Sequence, residues 1–114
     1  MAAPYYCADS ENGDHIGDPS EDSLFMLIDD LNDTDNTFVV VQPDQDDPVW
    51  FASVAVLDEG GYEIVRRDTS RREHAVTTET SINRIAHDLI LWIATRHRPG
   101  RPARPGEIEA YPRT

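Results

Sequence analysis

The chain is 114 residues long and carries 22 Asp and Glu against 10 Arg and no Lys, for a net charge of −12. That length suits one domain burying about 65% of the surface its unfolded form exposes. The charge sets nucleic acid and anionic membranes against it as partners, and no apolar stretch reaches the ~18 residues of a membrane-spanning helix. The first residues also lack the basic start and apolar run of a secretory signal, so the sequence reads as soluble and cytoplasmic. Cys7 is the only cysteine, which excludes an intrachain disulfide and a cysteine-based zinc site. It reads as a reduced thiol in a strand. Charge is unevenly placed: residues 1–65 hold 16 acids and no arginine, whereas 66–114 hold 6 acids and all 10 arginines. An acidic half of this strength attracts basic proteins.

In chain order, residues 4–8 ("PYYCA") are a short first strand, and 9–17 a polar loop. Asp18-Pro19-Ser20-Glu21 is a helix start with Asp18 at the N-cap, proline at N1 and Glu21 at N3. Leu24, Leu27, Ile28 and Leu31 follow at i, i+3, i+4 and i+7, the apolar stripe of a helix ending near Asn32. The aspartate-rich segment 32–36 is its exit, before a β-branched strand over 37–41. Residues 50–57 and 62–67 form a hairpin about the "DEGG" turn at 58–61, whose glycines can take positive φ. A second turn leads to a strand over 73–78. From Ser81, the residues Ile82, Ile85, Ala86, Leu89, Trp92 and Ile93 mark a second amphipathic helix. The order β-α-β-β-β-β-α predicts an α+β domain over residues 1–98, a mostly antiparallel sheet of about five strands packed on one side by two helices. The Pro/Arg-rich segment 99–114 reads as a flexible tail.

No nucleotide-binding loop, nucleophile elbow or paired-histidine zinc motif occurs. His15, His74, His87 and His97 are scattered, and His87 beside Asp88 on a helix makes a poor dyad because adjacent positions do not face one another. Asp33, Asp35 and Asp44 offer oxygen ligands of the kind calcium takes. Phe38 stands where a calcium loop requires glycine, and the segment runs into a strand, so it reads as a solvated acidic turn. No catalytic residue, metal ligand or cofactor is assigned. Trp92 lies on the helix stripe and reads as core. Trp50 follows the acidic linker and reads either as core or as an aromatic anchor for a partner.

From Asp18 to Arg96, about two thirds of the chain, the succession "DPSEDSLFMLIDDLN", "FVVVQP", "WFASVAVLDEGGYEIVRRD", "EHAVTTET" and "INRIAHDLILWIA" resembles the Imm1 family of bacterial immunity proteins. The resemblance implies a cognate antitoxin of a polymorphic or contact-dependent toxin system. Its partner would be a toxin domain, often a nuclease or a nucleic-acid deaminase. It would act by binding, with no shared catalytic motif, no cofactor, and neither nucleic acid nor membrane as partner. The matching positions Gly61, Tyr62, Glu63 and Arg66 serve either fold or contact.

Acidity without catalytic groups suits inhibition of an enzyme whose substrate is polyanionic, because carboxylates can fill a cleft built for phosphates. The expected contact residues are Asp44, Asp46 and Asp47 with Trp50 on the linker, Asp29, Asp30, Asp33 and Asp35 at the helix exit, and Asp58 and Glu59 at the hairpin turn. The linker and the helix exit rank first if they share one end of the sheet, so that their charges add. Two rival readings stand beside this one: an acidic adaptor with no toxin partner, and a small acid/base enzyme assembled from residues distant in sequence.

Overall fold

The computed structural model describes residues 5–96; the expected tail at 99–114 lies outside them. The described chain is α+β: one antiparallel sheet of six strands with two helices. The strands are β1 (Tyr6–Ser10), β2 (His15–Gly17), β3 (Phe38–Pro43), β4 (Trp50–Val56), β5 (Tyr62–Asp68) and β6 (Glu73–Glu79), and the helices are α1 (Glu21–Asp29) and α2 (Ile82–Ala94). Spatial order is β2-β1-β3-β4-β5-β6, so β3 to β6 run as the expected meander. β2 lies within the segment 9–17 expected as a loop. Three residues show no alternation, and this strand exists only because the chain turns back at 11–14 to pair Asp9 with His15 and Cys7 with Gly17.

The start of α1 differs from expectation in an instructive way. Ser20 is the N-cap, its Oγ accepting from the Ser23 N–H at 3.1 Å. Asp18 has φ 45°, and its carboxylate accepts from the backbone N–H groups of Tyr5 and Tyr6 at 2.9 and 3.2 Å. A carboxylate already engaged by another strand cannot also cap the helix. The helix ends at Asp29, short of Asn32. Ser81 caps α2 as its position suggests, its Oγ accepting from the Arg84 N–H.

Alternation sorts the strands into two faces. Tyr6, Ala8, Val39, Val41, Trp50, Ala52, Val54 and Ile64 turn to the helices and form the core with Leu24, Leu27, Ile28, Ile85, Ala86, Leu89 and Ile93. On the opposite face lie Cys7, Asp9, Val40, Phe51, Val65 and Val76, and among the described residues no helix covers them. No described helix is long and apolar enough to cross a membrane. The hairpin turn at 58–61 needs its glycines: Gly60 and Gly61 have φ of 102° and 81°. A Cβ on Gly61 would also lie 3.3 Å from the Glu79 carbonyl oxygen.

Leu89 is 2% exposed within the core. Leu89→Ala should therefore cost about 2–5 kcal/mol in urea denaturation. A loss under about 0.5 kcal/mol, the range of surface substitutions, would refute the assigned face of α2.

Candidate interaction surface

Strand direction decides which loops meet. Register aligns Ser10 with Val39, Phe38 with Ala55, and Val56 with Tyr62, so the segments 11–14, 30–37 and 57–61 emerge at the same end of the sheet. The other end, where Tyr6 meets Pro43 and Trp50 meets Asp68, carries the linker 44–49. The helix exit and the linker therefore lie at opposite ends, contrary to the condition on which they ranked together. The cause is simple: one precedes β3 and the other follows it. The helix exit instead joins the hairpin turn, and the two share their end with Glu11 and Asp14, acids the sequence reading left out. Alternation of strand direction was the signal that could have found them. The same separation removes the calcium reading, since Asp44 is at the far end from Asp33 and Asp35.

The acidic end is internally bonded. Asn32 Oδ1 accepts from the backbone N–H groups of Thr34, Asp35 and Asn36 at 2.8, 3.0 and 3.3 Å. Asn36 is 2% exposed; its Nδ2 donates to the Asp30 carbonyl, and its Oδ1 accepts from the Asn12 N–H. Glu11 accepts from both the N–H and the hydroxyl of Thr37 at 2.8 and 2.7 Å, bonds that hold its carboxyl below the usual range. The Val56 N–H donates to the Thr37 carbonyl at 3.0 Å, tying in the hairpin. Asp14, Asp29, Asp30, Asp33, Asp35, Asp58 and Glu59 are all exposed on this frame. Arg84, at the adjacent start of α2, is 3.8 Å from Glu79.

The linker has different surroundings. Asp44, Asp46 and Asp47 are exposed, but Val49 accepts from the Thr69 N–H. Gln45 and Val49 border a pocket of about 210 Å³ with Arg71 and Arg96, so bases do stand close to this segment. Trp50 is 4% exposed and belongs to the core. It meets the Trp92 ring edge-on at 5.7 Å between centroids and 86°, and the Tyr6 ring at 6.3 Å.

Beneath that pocket lies a buried ionic cluster. Asp68 is 1% exposed and accepts from the N–H and hydroxyl of Ser70 at 3.0 and 2.6 Å. Arg96, its side chain 5% exposed, brings Nε to 2.9 Å from Asp68 Oδ2. That N–H is not aligned on the oxygen, so the contact is ionic. Arg96 also pairs with Glu73, donates to the Trp92 carbonyl at 2.9 Å, and lies 3.8 Å over the Trp92 ring. Trp92 in turn donates its indole N–H to Glu73 at 3.0 Å. Burial pushes the Asp68 carboxyl up, but the Ser70 hydrogen bonds with the Arg96 and Arg71 charges outweigh it and leave it below its ordinary 3.8. The Trp92 hydrogen bond, with Arg96, holds Glu73 below 4.5.

The remaining clustered groups are on the face of the sheet that no described helix covers. His15 Nδ1 is 2.5 Å from Asp9 Oδ1, and the Cys7 thiol is 3.7 Å from Asp9 Oδ2. Burial first, then the charges of Asp9 and Asp44, push that thiol up to about 11, the reverse of an activated cysteine nucleophile. Comparison of the chain with protein-family models, with curated proteins and with solved structures finds no match.

Carboxyls held low in the folded state stabilise it above their unfolded values, and that contribution is lost as pH falls through the depressed ones. Stability should therefore drop below about pH 4 in step with protonation of Asp68 and Glu73. Arg96→Ala, which strands the buried Asp68 carboxylate, should cost about 3 kcal/mol at pH 7 and flatten the dependence below about pH 4. Urea denaturation of both proteins across that range reads the two effects; parallel pH curves would refute the coupling.

Proposed function

We propose that this chain is an immunity protein. It binds and neutralises a cognate bacterial toxin domain, a nuclease or a nucleic-acid deaminase, by setting carboxylates into the basic cleft where the toxin would hold its polyanionic substrate. The observation that carries this reading is the acidic end of the sheet: three loops of exposed carboxylates on a frame of hydrogen bonds among Glu11, Asn12, Asn32, Asn36 and Thr37. Carboxylates on loops already ordered lose little conformational freedom on binding. A net charge of −12 accelerates encounter with a basic partner. The Imm1 resemblance points the same way, to an inhibitor acting in the cytoplasm of the cell that makes the toxin.

On this reading Asp29, Asp30, Asp33, Asp35, Asp58 and Glu59 face the toxin, with Glu11 and Asp14. The linker residues Asp44, Asp46 and Asp47 lie outside the interface, and Trp50 contributes only to the core.

The test is calorimetric titration with the toxin domain encoded beside this gene, at low and high salt. Binding should be tight and weaken as salt rises. The triple variant Asp33→Lys/Asp35→Lys/Asp58→Lys should lose more than about tenfold in affinity, or ~1.4 kcal/mol, whereas Asp44→Lys/Asp46→Lys/Asp47→Lys should bind nearly as the parent does. Reversal of that ranking would move the interface to the linker. Absence of binding at both salts would sink the toxin partnership and favour an acidic adaptor or an enzyme.

A further inference from the structure

We propose that Cys7, Asp9 and His15 form a binding site for a divalent cation of the zinc class on the helix-free face of the β1–β2 hairpin, with Cys7 buried at its base and His15 exposed at its rim. The three are brought together by pairing alone. Cys7 and Asp9 are two apart on β1 and so share a face; Asp9 stands opposite His15, and Cys7 stands opposite Gly17, which has no side chain. One donor atom from each of the three lies within 4.8 Å of the other two.

Four-coordinate zinc, with bonds of about 2.0–2.3 Å, sets neighbouring ligand atoms about 3–4 Å apart. Cys7 Sγ and Asp9 Oδ2 are at that spacing, 3.7 Å. His15 Nδ1 lies 2.5 Å from the other carboxylate oxygen, Asp9 Oδ1, and coordination through that oxygen requires the two to part by about 1 Å. Their side chains are 57% and 47% exposed, so the movement disturbs no packing. A thiolate with an imidazole and a carboxylate selects zinc or cobalt over magnesium or calcium, which prefer oxygen alone. Three protein ligands leave a fourth position for water. The Asp44 charge, which acts on both Cys7 and His15, adds to the attraction for a dication. Binding would displace the thiol proton and fasten the three-residue edge strand β2 to its neighbour. A single cysteine cannot build a zinc site from cysteines, but it suffices when strand pairing supplies the other ligands.

This inference stands apart from toxin binding and is tested without a toxin. Reduced protein is titrated with cobalt(II) and then with competing zinc, following absorbance. The expected result is one cobalt per chain with a thiolate-to-cobalt charge-transfer band that zinc abolishes, and a melting temperature raised by zinc. Cys7→Ala should remove the band. His15→Ala, at an exposed position, should leave the fold intact by circular dichroism and weaken binding at least about tenfold, since even groups that only orient a ligand matter that much. No charge-transfer band in the parent, or cobalt affinity unchanged in His15→Ala, would overturn the site.

Discussion

The Arg96 guanidinium is where the two ends of the fold's second half are fastened together. It satisfies a carboxylate on β5, a second on β6 and a carbonyl in the last turn of α2, and it covers the Trp92 ring. Removing these charges from water is costly, and the cost is offset only because each carboxylate also receives hydrogen bonds, Asp68 from Ser70 and Glu73 from the Trp92 indole. The arrangement fixes the seat of α2 on the sheet. Trp92, held there, meets Trp50 edge-on, and Trp50 carries the contact to Tyr6 on β1. A tryptophan beside an acidic linker thus serves the core.

The cluster also divides the molecule electrostatically. It gathers Arg71 and Arg96 toward the end of the sheet that holds the linker, where basic side chains border the linker's own pocket. At the opposite end, Arg84 stands beside Glu79 and the carboxylates of three loops face solvent. Mutual repulsion of so many acids would be expected to loosen these loops. Asparagine hydrogen bonds oppose it: Asn32 gathers the backbone of Thr34 to Asn36, and buried Asn36 ties that turn to the end of α1 and to the β1–β2 turn. The surface is both charged and ordered, the combination on which the proposed recognition of a basic toxin rests.

Local signals in the sequence served well where the physics is local. Leu24, Leu27 and Ile28, and Ile85, Ala86, Leu89 and Ile93, are buried as the helical stripes required. The hairpin about Gly60 and Gly61 has the positive φ its glycines allowed. Signals failed where a residue's partner is distant. Asp18 looked like a helix cap but is claimed by the backbone of Tyr5 and Tyr6, and β2 has no pattern of its own. Asp68 and Arg96, the central pair, are 28 positions apart, and neither carries a sign in the sequence that it will be buried.

The sequence by itself determined the α+β class, the two helix faces, the meander and the excess of acid in the first half, because periodicity, turn chemistry and composition act within a few residues. Tertiary structure decided which acids stand together, that Trp50 is core, that the linker lies beside arginines, and that Cys7, Asp9 and His15 converge. Each of those outcomes depends on strand direction and register. These follow from burial of one face of the whole sheet against two helices, a constraint that no short stretch of the chain contains.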